Sequence, residues 1–276
     1  MTRGIVFMFI AAFAFAWMNL MAKYLQGFHP LQVVFFRAIG TFVFIFPYML
    51  YKKIPLLGKH VFWLSFRGVL SFVSLALFFK VVQDIPLGSA VALRYTAPIF
   101  SVVLAYYILK EKVKFWQWIS LILSIVGAFI MKGVDFRIDT VSFMLIMLSS
   151  LFVGGVFVIV RYLGSREHFL TIINYFMVFS IVGSLFFIHY WRMPIGDEWL
   201  YIGLIGVLGL VGQVFLTKAF QLADTSAVAP IKYMELVYAL VFGYVLFDET
   251  YSFWPIFGMF IVVLGMLLNI WIKRRQ

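Results

Sequence analysis

The second half of this chain repeats the first, 138 residues on, inside sequence so apolar that both copies have to be accommodated together. Lys23-Tyr24-Leu25 returns as Arg161-Tyr162-Leu163, Gly68-Val69-Leu70 as Gly206-Val207-Leu208, Lys80 as Lys218, Gln83 as Gln221, and Arg94-Tyr95 as Lys232-Tyr233. Glu111 then returns as Glu249, Phe115-Trp116 as Phe253-Trp254 and Gly127 as Gly265. A one-residue gap also matches Ser89-Ala90-Val91-Ala92 to Ser226-Ala227-Val228-Ala229. Charged and aromatic residues that recur in register do not follow from apolar composition. They mark one membrane unit used twice.

Hydrophobic residues make up 64% of the chain, charged residues 12%, and the mean hydropathy is +1.05. A soluble globular chain does not carry such a balance. Ten apolar runs stand near 4–22, 30–50, 61–82, 88–109, 115–132, 140–160, 169–190, 199–220, 226–247 and 253–272. Each has the roughly 20 residues that a helix needs to cross a hydrocarbon core. The first run is longer than a signal-peptide core and lacks a small-x-small cleavage site, so it is expected to stay in the mature protein. Five crossings per copy is an odd number, so the second copy enters the bilayer upside down. The expected fold is therefore an all-α integral membrane protein with ten transmembrane helices in two inverted five-helix repeats, residues 1–135 and 138–276.

A net charge of +11 would suggest nucleic acid in a soluble domain, but here its placement reads as topology. With a cytoplasmic N-terminus, Arg3, Lys52, Lys53, Lys59, Lys110, Lys112, Lys114, Arg161, Arg166, Lys273, Arg274 and Arg275 all lie inside. Only Lys23, Lys132, Arg137 and Arg192 lie outside. The excess of inside cations places both termini in the cytoplasm. The chain has no cysteine, and its histidines, His29, His60, His168 and His189, sit at segment edges without metal-ligand spacing. No phosphate-binding loop, catalytic triad or dinucleotide fingerprint is present, so no catalytic residue, metal or cofactor is expected, and gradients would have to drive any transport.

Within the runs lie six cations, Arg37, Arg67, Lys80, Arg94, Lys218 and Lys232, and one acid, Glu235. Lys80 and Lys218 are close enough to a run's end to snorkel. The other four are deeper, where a charge costs about 2.5 kcal/mol or more on insertion scales, so they should face the bundle interior. One glutamate cannot neutralise four deep cations. Two readings follow: a site for an anion, or structural cations capped by carbonyls and aromatic faces such as Tyr95, Tyr233, Tyr238 and Trp17. Arg94 and Lys232 are equivalent in the two copies and are expected to enter one cavity, each without a dedicated partner. Glu235 could pair with Lys232 permanently or carry a coupling proton. Asn19, Ser71, Ser74, Asn174 and Gln213 are uncharged candidates for the wall. Glu111 and Glu249, at equivalent ends, read as solvated or capping acids. Pro98 removes a backbone donor in mid-run and should kink its helix.

These stretches resemble the EamA-type branch of the drug/metabolite transporter superfamily. The resemblance rests on Ala92-Leu93-Arg94-Tyr95-Thr96-Ala97-Pro98 running to Leu109-Lys110-Glu111-Lys112, a following run with Gly127, and a second copy ending at Phe247-Asp248-Glu249-Thr250. In the second copy Leu236 stands where the proline would be, so the second half departs from the pattern at the expected break. Phe36-Arg37 and Arg67-Gly68 resemble a subgroup associated with organic anions. The resemblance implies a basket of helices 1–4 and 6–9 around a central cavity, helices 5 and 10 outside it or at a dimer edge, and export of small metabolites. The expected function is a gradient-driven exporter, monomeric or homodimeric, in an inner membrane. Its partners would be the lipid bilayer, a small-molecule substrate, more readily an anion, and a coupling proton or counter-substrate. An exporter of drugs, organic cations or amino acids with Glu235 as its key charge, a lipid flippase, and an intramembrane enzyme are the competing readings.

Overall fold

The computed structural model describes residues 2–108, 110, 115–135, 137–163, 166–222 and 229–274. Its helices are α1 (Thr2–Tyr24), α2 (Pro30–Tyr51), α3 (Val61–Asp84), α4 (Leu87–Arg94), α5 (Ala97–Ile108), α6 (Phe115–Val134), α7 (Thr140–Leu163), α8 (Phe169–Leu185), α9 (Glu198–Leu222), α10 (Met234–Phe247) and α11 (Phe253–Arg274). Short 3-10 turns cover Ile188–Tyr190 and Ala229–Tyr233. Six of the helical stretches, Arg3–Tyr24, Pro30–Tyr51, Val61–Asp84, Leu87–Ile108, Thr140–Val160 and Glu198–Leu216, are long and apolar enough to cross a membrane. Ile122–Gly133, Phe169–Leu185 and Phe253–Gly265 are shorter apolar helices, so the ten expected crossings are not all of full length among the described residues. Glu111 and Lys112 lie outside those residues.

Helix starts follow their local chemistry. His29 and His168 each precede a helix and accept a hydrogen bond on Nδ1 from the backbone N–H two residues on, Leu31 and Leu170, which caps α2 and α8 alike. Burial, and then the charges of His189 and Lys80, hold His29 below its ordinary range, so the ring stays neutral and keeps accepting.

Glycine sets how closely the helices approach. On α9, Gly206, Gly209 and Gly212 recur every three residues and form one face of the helix. At Gly206 an added Cβ would stand 2.8 Å from the Cα of Gly40 on α2, and at Gly212 2.9 Å from the ring of Phe15 on α1. A second such contact joins α6 and α11, where a Cβ on Gly127 would meet the carbonyl oxygen of Gly258 at 2.7 Å. Ser124, Gly127, Ala128 and Met131 line the buried face of α6, and Ile122, Val126 and Phe129 are exposed on its other face. Packing between apolar helices in lipid depends on such close van der Waals contact, because lipid tails compete equally well for apolar side chains.

At one end of the bundle, here called the His60 end, Glu167 ties the loop before α3 to the start of α8. Its carboxylate accepts from the backbone N–H groups of Lys59 at 2.7 Å and His60 at 2.6 Å, and lies 2.9 Å from His60 Nδ1. Thr171 and Tyr175 on α8 donate to the carbonyls of Pro55 and Leu57, at 2.6 and 2.7 Å, and secure the same loop. Burial pushes the Glu167 carboxyl up, but the hydrogen bonds from His60 and Lys59 outweigh it and hold the group below the ordinary carboxylate range. A lowered value means that the ionised form stabilises the fold above that range, and that this contribution is lost as pH falls through the group's own value. Glu167→Gln is expected to cost about 1–3 kcal/mol at pH 7. Thermal unfolding in detergent should show the gap between wild type and variant narrowing from pH 6 to pH 3.

Candidate substrate-binding site

The run from Leu87 to Ile108 is not one helix. α4 stops at Arg94, Tyr95 closes its last turn, and α5 begins at Ala97 with Pro98 as its second residue, where a missing N–H costs nothing. The proline therefore breaks the segment instead of only kinking it. The second copy breaks at the equivalent place without a proline at Leu236: the chain runs as a 3-10 turn through Lys232 and Tyr233 and becomes α-helical at Met234. The two breaks meet. The rings of Tyr95 and Tyr233 touch edge to face, centroids 5.1 Å apart, and the Tyr95 hydroxyl donates to the carbonyl of Lys232 at 2.9 Å.

Glu235 lies buried at this junction and forms an ion pair with Lys232. It accepts from Asn19 Nδ2 at 2.9 Å and from the Tyr95 hydroxyl at 3.3 Å. The expectation that Lys232 lacks a dedicated partner is corrected here, because a residue three positions on reaches it within one helical turn. Lys232 also lies over the ring of Phe15, 4.5 Å from its centroid.

The arginines differ. Among the described residues no carboxylate lies within ion-pair distance of Arg37, Arg67 or Arg94. Arg94 stacks over Phe78 with its guanidinium carbon 3.8 Å from the centroid. Arg37 and Arg67 both face the ring of Phe176, at 4.9 and 5.4 Å. Arg67 Nη1 donates to the carbonyl of Ile172 at 2.8 Å, and Arg37 runs alongside Gly209, where an added Cβ would stand 3.3 Å from its Cγ. Buried nitrogens remain without a hydrogen bond on all three: Nε and Nη1 of Arg37, Nε of Arg67 and Nη1 of Arg94. The hydroxyls of Tyr233 and Ser71, the Asn174 side-chain oxygen and Trp17 Nε1 are unsatisfied as well. Arg37 lies within electrostatic range of Arg94 and Arg67, and Arg94 within range of Lys232, so the four cations form one cluster. Gln213, half-buried on α9, is engaged within the protein, and Ser74 bonds Ser149 across α3 and α7. Lys80 is exposed and pairs with Asp84 at 2.6 Å. A cavity of about 660 Å³ beside Phe28, His29, Lys80, Gln83 and Asp84 is lined by none of the site candidates.

At the opposite end from His60, Lys23 and Glu249 form a buried ion pair, and Lys23 Nζ also donates to the carbonyl of Ile85 at 2.8 Å. Glu249 accepts from the backbone N–H of Leu87 at 2.9 Å, which is the first residue of α4, and from the Tyr251 hydroxyl at 2.6 Å. Burial, and then the bond to Glu249, raises the Tyr251 hydroxyl well above its ordinary range and keeps it a donor. Glu249 is thus a buried lock between the two halves and a cap on α4, not a solvated acid. Sequence reasoning missed this pair, although both its members, Lys23 and Glu249, recur in register as Arg161 and Glu111.

A bundle of apolar helices, six stretches of which are long and apolar enough to cross a membrane, is the arrangement of a multi-pass membrane protein. The sequence model of the EamA-like transporter family matches residues 2–132 and 140–271, and the chain belongs to that family of membrane transporters. It is 27% identical over 292 residues to Solute carrier family 35 member G1 of Mus musculus, covering 98% of this chain and 79% of the relative. It is 29% identical over 269 residues to Pseudopaline exporter CntI of Pseudomonas aeruginosa, covering 96% and 94%. With an S-adenosylmethionine uptake transporter of Rickettsia prowazekii it shares 24% over 261 residues, covering 94% and 89%. A crystal structure aligns with 99% of this chain and 98% of its own at a TM-score of 0.64 and 16% identity, a likeness of fold. The relatives and the family are transporters, in keeping with a chain that is not an enzyme.

Proposed function

We propose that this protein is a gradient-driven exporter of a small anionic organic metabolite, working by alternating access in an inner membrane with both termini in the cytoplasm. Ten crossings in two inverted repeats, 1–135 and 138–276, supply the two gates. The observation that carries the anion is the trio of buried Arg37 and Arg67 and half-buried Arg94, each with a buried nitrogen that makes no hydrogen bond and none with a paired carboxylate among the described residues. Tyr95, Tyr233, Asn19, Ser71, Gln213 and Trp17 complete the binding region, and Pro98 marks the joint about which α5 and α4 move separately. Asymmetry of the ends supports access from the His60 side. At the Lys23 end α4 packs against α10 under the Lys23–Glu249 lock, while α5 rests on α7, with Gly154 against Ala97, Phe100 and Ser101. The sequence repeat provides Arg161 and Glu111 as the matching charge types for the other end.

An organic-cation substrate would meet four like charges and no unengaged carboxylate at the cluster among the described residues, because Glu235 is occupied by Lys232, Asn19 and Tyr95. Flux into proteoliposomes tests the reading: carboxylates should be carried and tetraethylammonium not, and flux of the cation alone would overturn it. Glu235 then acts as the counter-charge that holds Lys232. Glu235→Gln is expected to slow transport several-fold while leaving its pH profile in place; a displaced profile would show that Glu235 carries the coupling proton.

A further inference from the structure

Resting on the anion reading, the charge count at the cluster points to a more specific ligand: we infer that the substrate carries at least two negative charges. Arg37 and Arg67 share the ring of Phe176, Arg94 precedes Tyr95, whose hydroxyl bonds the Lys232 carbonyl, and among the described residues the one acid that meets these cations is Glu235. Lys232 takes that acid, which leaves three guanidinium charges without a carboxylate among the described residues. Arg37 and Arg67 face one phenyl ring, that of Phe176, and the two ring distances keep their charges at most about 10 Å apart, close enough to repel away from water. Phe176 relieves part of that repulsion through its electron-rich face, as Phe78 does for Arg94. Neither ring supplies an acceptor for the unused N–H groups.

A monoanion would offset one of the three guanidinium charges and leave two uncompensated, even if it accepted hydrogen bonds from both Arg37 and Arg67. Two anionic groups on one small molecule would reach two poles, one between Arg37 and Arg67 and one at Arg94. Each group would accept charge-assisted hydrogen bonds from nitrogens that have no hydrogen bond in this structure. Their chemistry is that of carboxylate or phosphate oxygen, both of which match the guanidinium fork. A polar substrate of this kind also explains why each of the three arginines keeps a buried nitrogen without a hydrogen bond: the partner arrives and leaves.

The test is a ligand series of constant chain length on the purified full-length protein, read as thermal stabilisation against concentration. Pentanoate, glutarate and propane-1,2,3-tricarboxylate carry one, two and three charges, and inorganic phosphate and phosphoglycolate extend the series to phosphate oxygen. Glutarate or the tricarboxylate should stabilise at concentrations at least tenfold below pentanoate, and Arg37→Gln should reduce that advantage below threefold. Equal potency of pentanoate and glutarate in wild type would overturn the inference and leave the anion reading standing. Stabilisation by no anion would overturn both. Where Arg37→Gln does not fold, the wild-type series decides alone, and phosphoglycolate ahead of glutarate would assign the second charge to phosphate.

Discussion

Gly206→Leu is expected to prevent accumulation of folded protein, whereas Gly203→Leu, three residues away on the same helix, should behave as wild type. An added Cβ at Gly206 stands 2.8 Å from the backbone Cα of Gly40, a neighbour that cannot rotate aside, while at Gly203 nothing lies within 4 Å. Overpacking a core generally costs about 1–3 kcal/mol and more where the obstacle is backbone. α9 would have to withdraw from α2 along its glycine face. That movement would also displace Arg37, which lies against Gly209 one turn further on. Size-exclusion profiles of the two leucine variants in detergent give the comparison directly, and equal yields of monodisperse protein would show that the α2–α9 contact is not a determinant of the fold.

Breaking the Lys23–Glu249 lock should open the end it closes. Glu249→Ala leaves a buried ammonium without its carboxylate and removes the acceptor at the start of α4, and loss of one member of a buried pair costs about 3–5 kcal/mol. Ser89 on α4 is completely buried beneath this end, and the chain contains no other thiol, so Ser89→Cys reports on opening. A membrane-impermeant maleimide should modify it at least tenfold faster in the Glu249→Ala background. Combining Lys23→Met with Glu249→Leu replaces both charges by apolar volume, and should recover stability without restoring the control of access. Unchanged labelling in Glu249→Ala would assign the pair to stability alone.

How far the sequence carried the structure depends on the range of each signal. Helix positions were legible because apolar runs and turn residues are local, and α2, α3 and α7 begin where their runs do. The break near Pro98 was legible from the missing donor. Its counterpart at Lys232 was sought at position 236, where Leu236 replaces the proline, whereas the 3-10 turn at Ala229–Tyr233 carries its own proline, Pro230, six residues earlier. The meeting of Arg94-Tyr95 with Lys232-Tyr233 followed from the repeat, whereas the aromatic partners of the arginines did not. Thirty-four phenylalanines look alike in sequence, and only the packing of α8 and α3 singles out Phe176 and Phe78. The Lys23–Glu249 pair joins residues 226 positions apart, and spacing alone does not show such a contact. Its in-register echo at Arg161 and Glu111 was the available clue.

Whether Arg94 holds substrate is measured most directly by the flux of a labelled dicarboxylate in proteoliposomes. One charge-assisted hydrogen bond is worth about 1.5–3 kcal/mol, so Arg94→Ala should reduce transport roughly ten- to a hundredfold at subsaturating substrate. Arg94→Lys should fall in between, because lysine retains the charge and loses the planar fork. Both variants should insert and purify as single species, since the half-buried Arg94 side chain rests on the Phe78 ring and its Nη1 makes no hydrogen bond. Wild-type dicarboxylate flux in a correctly inserted Arg94→Ala protein would contradict the account and make the cluster a structural feature with the substrate bound elsewhere.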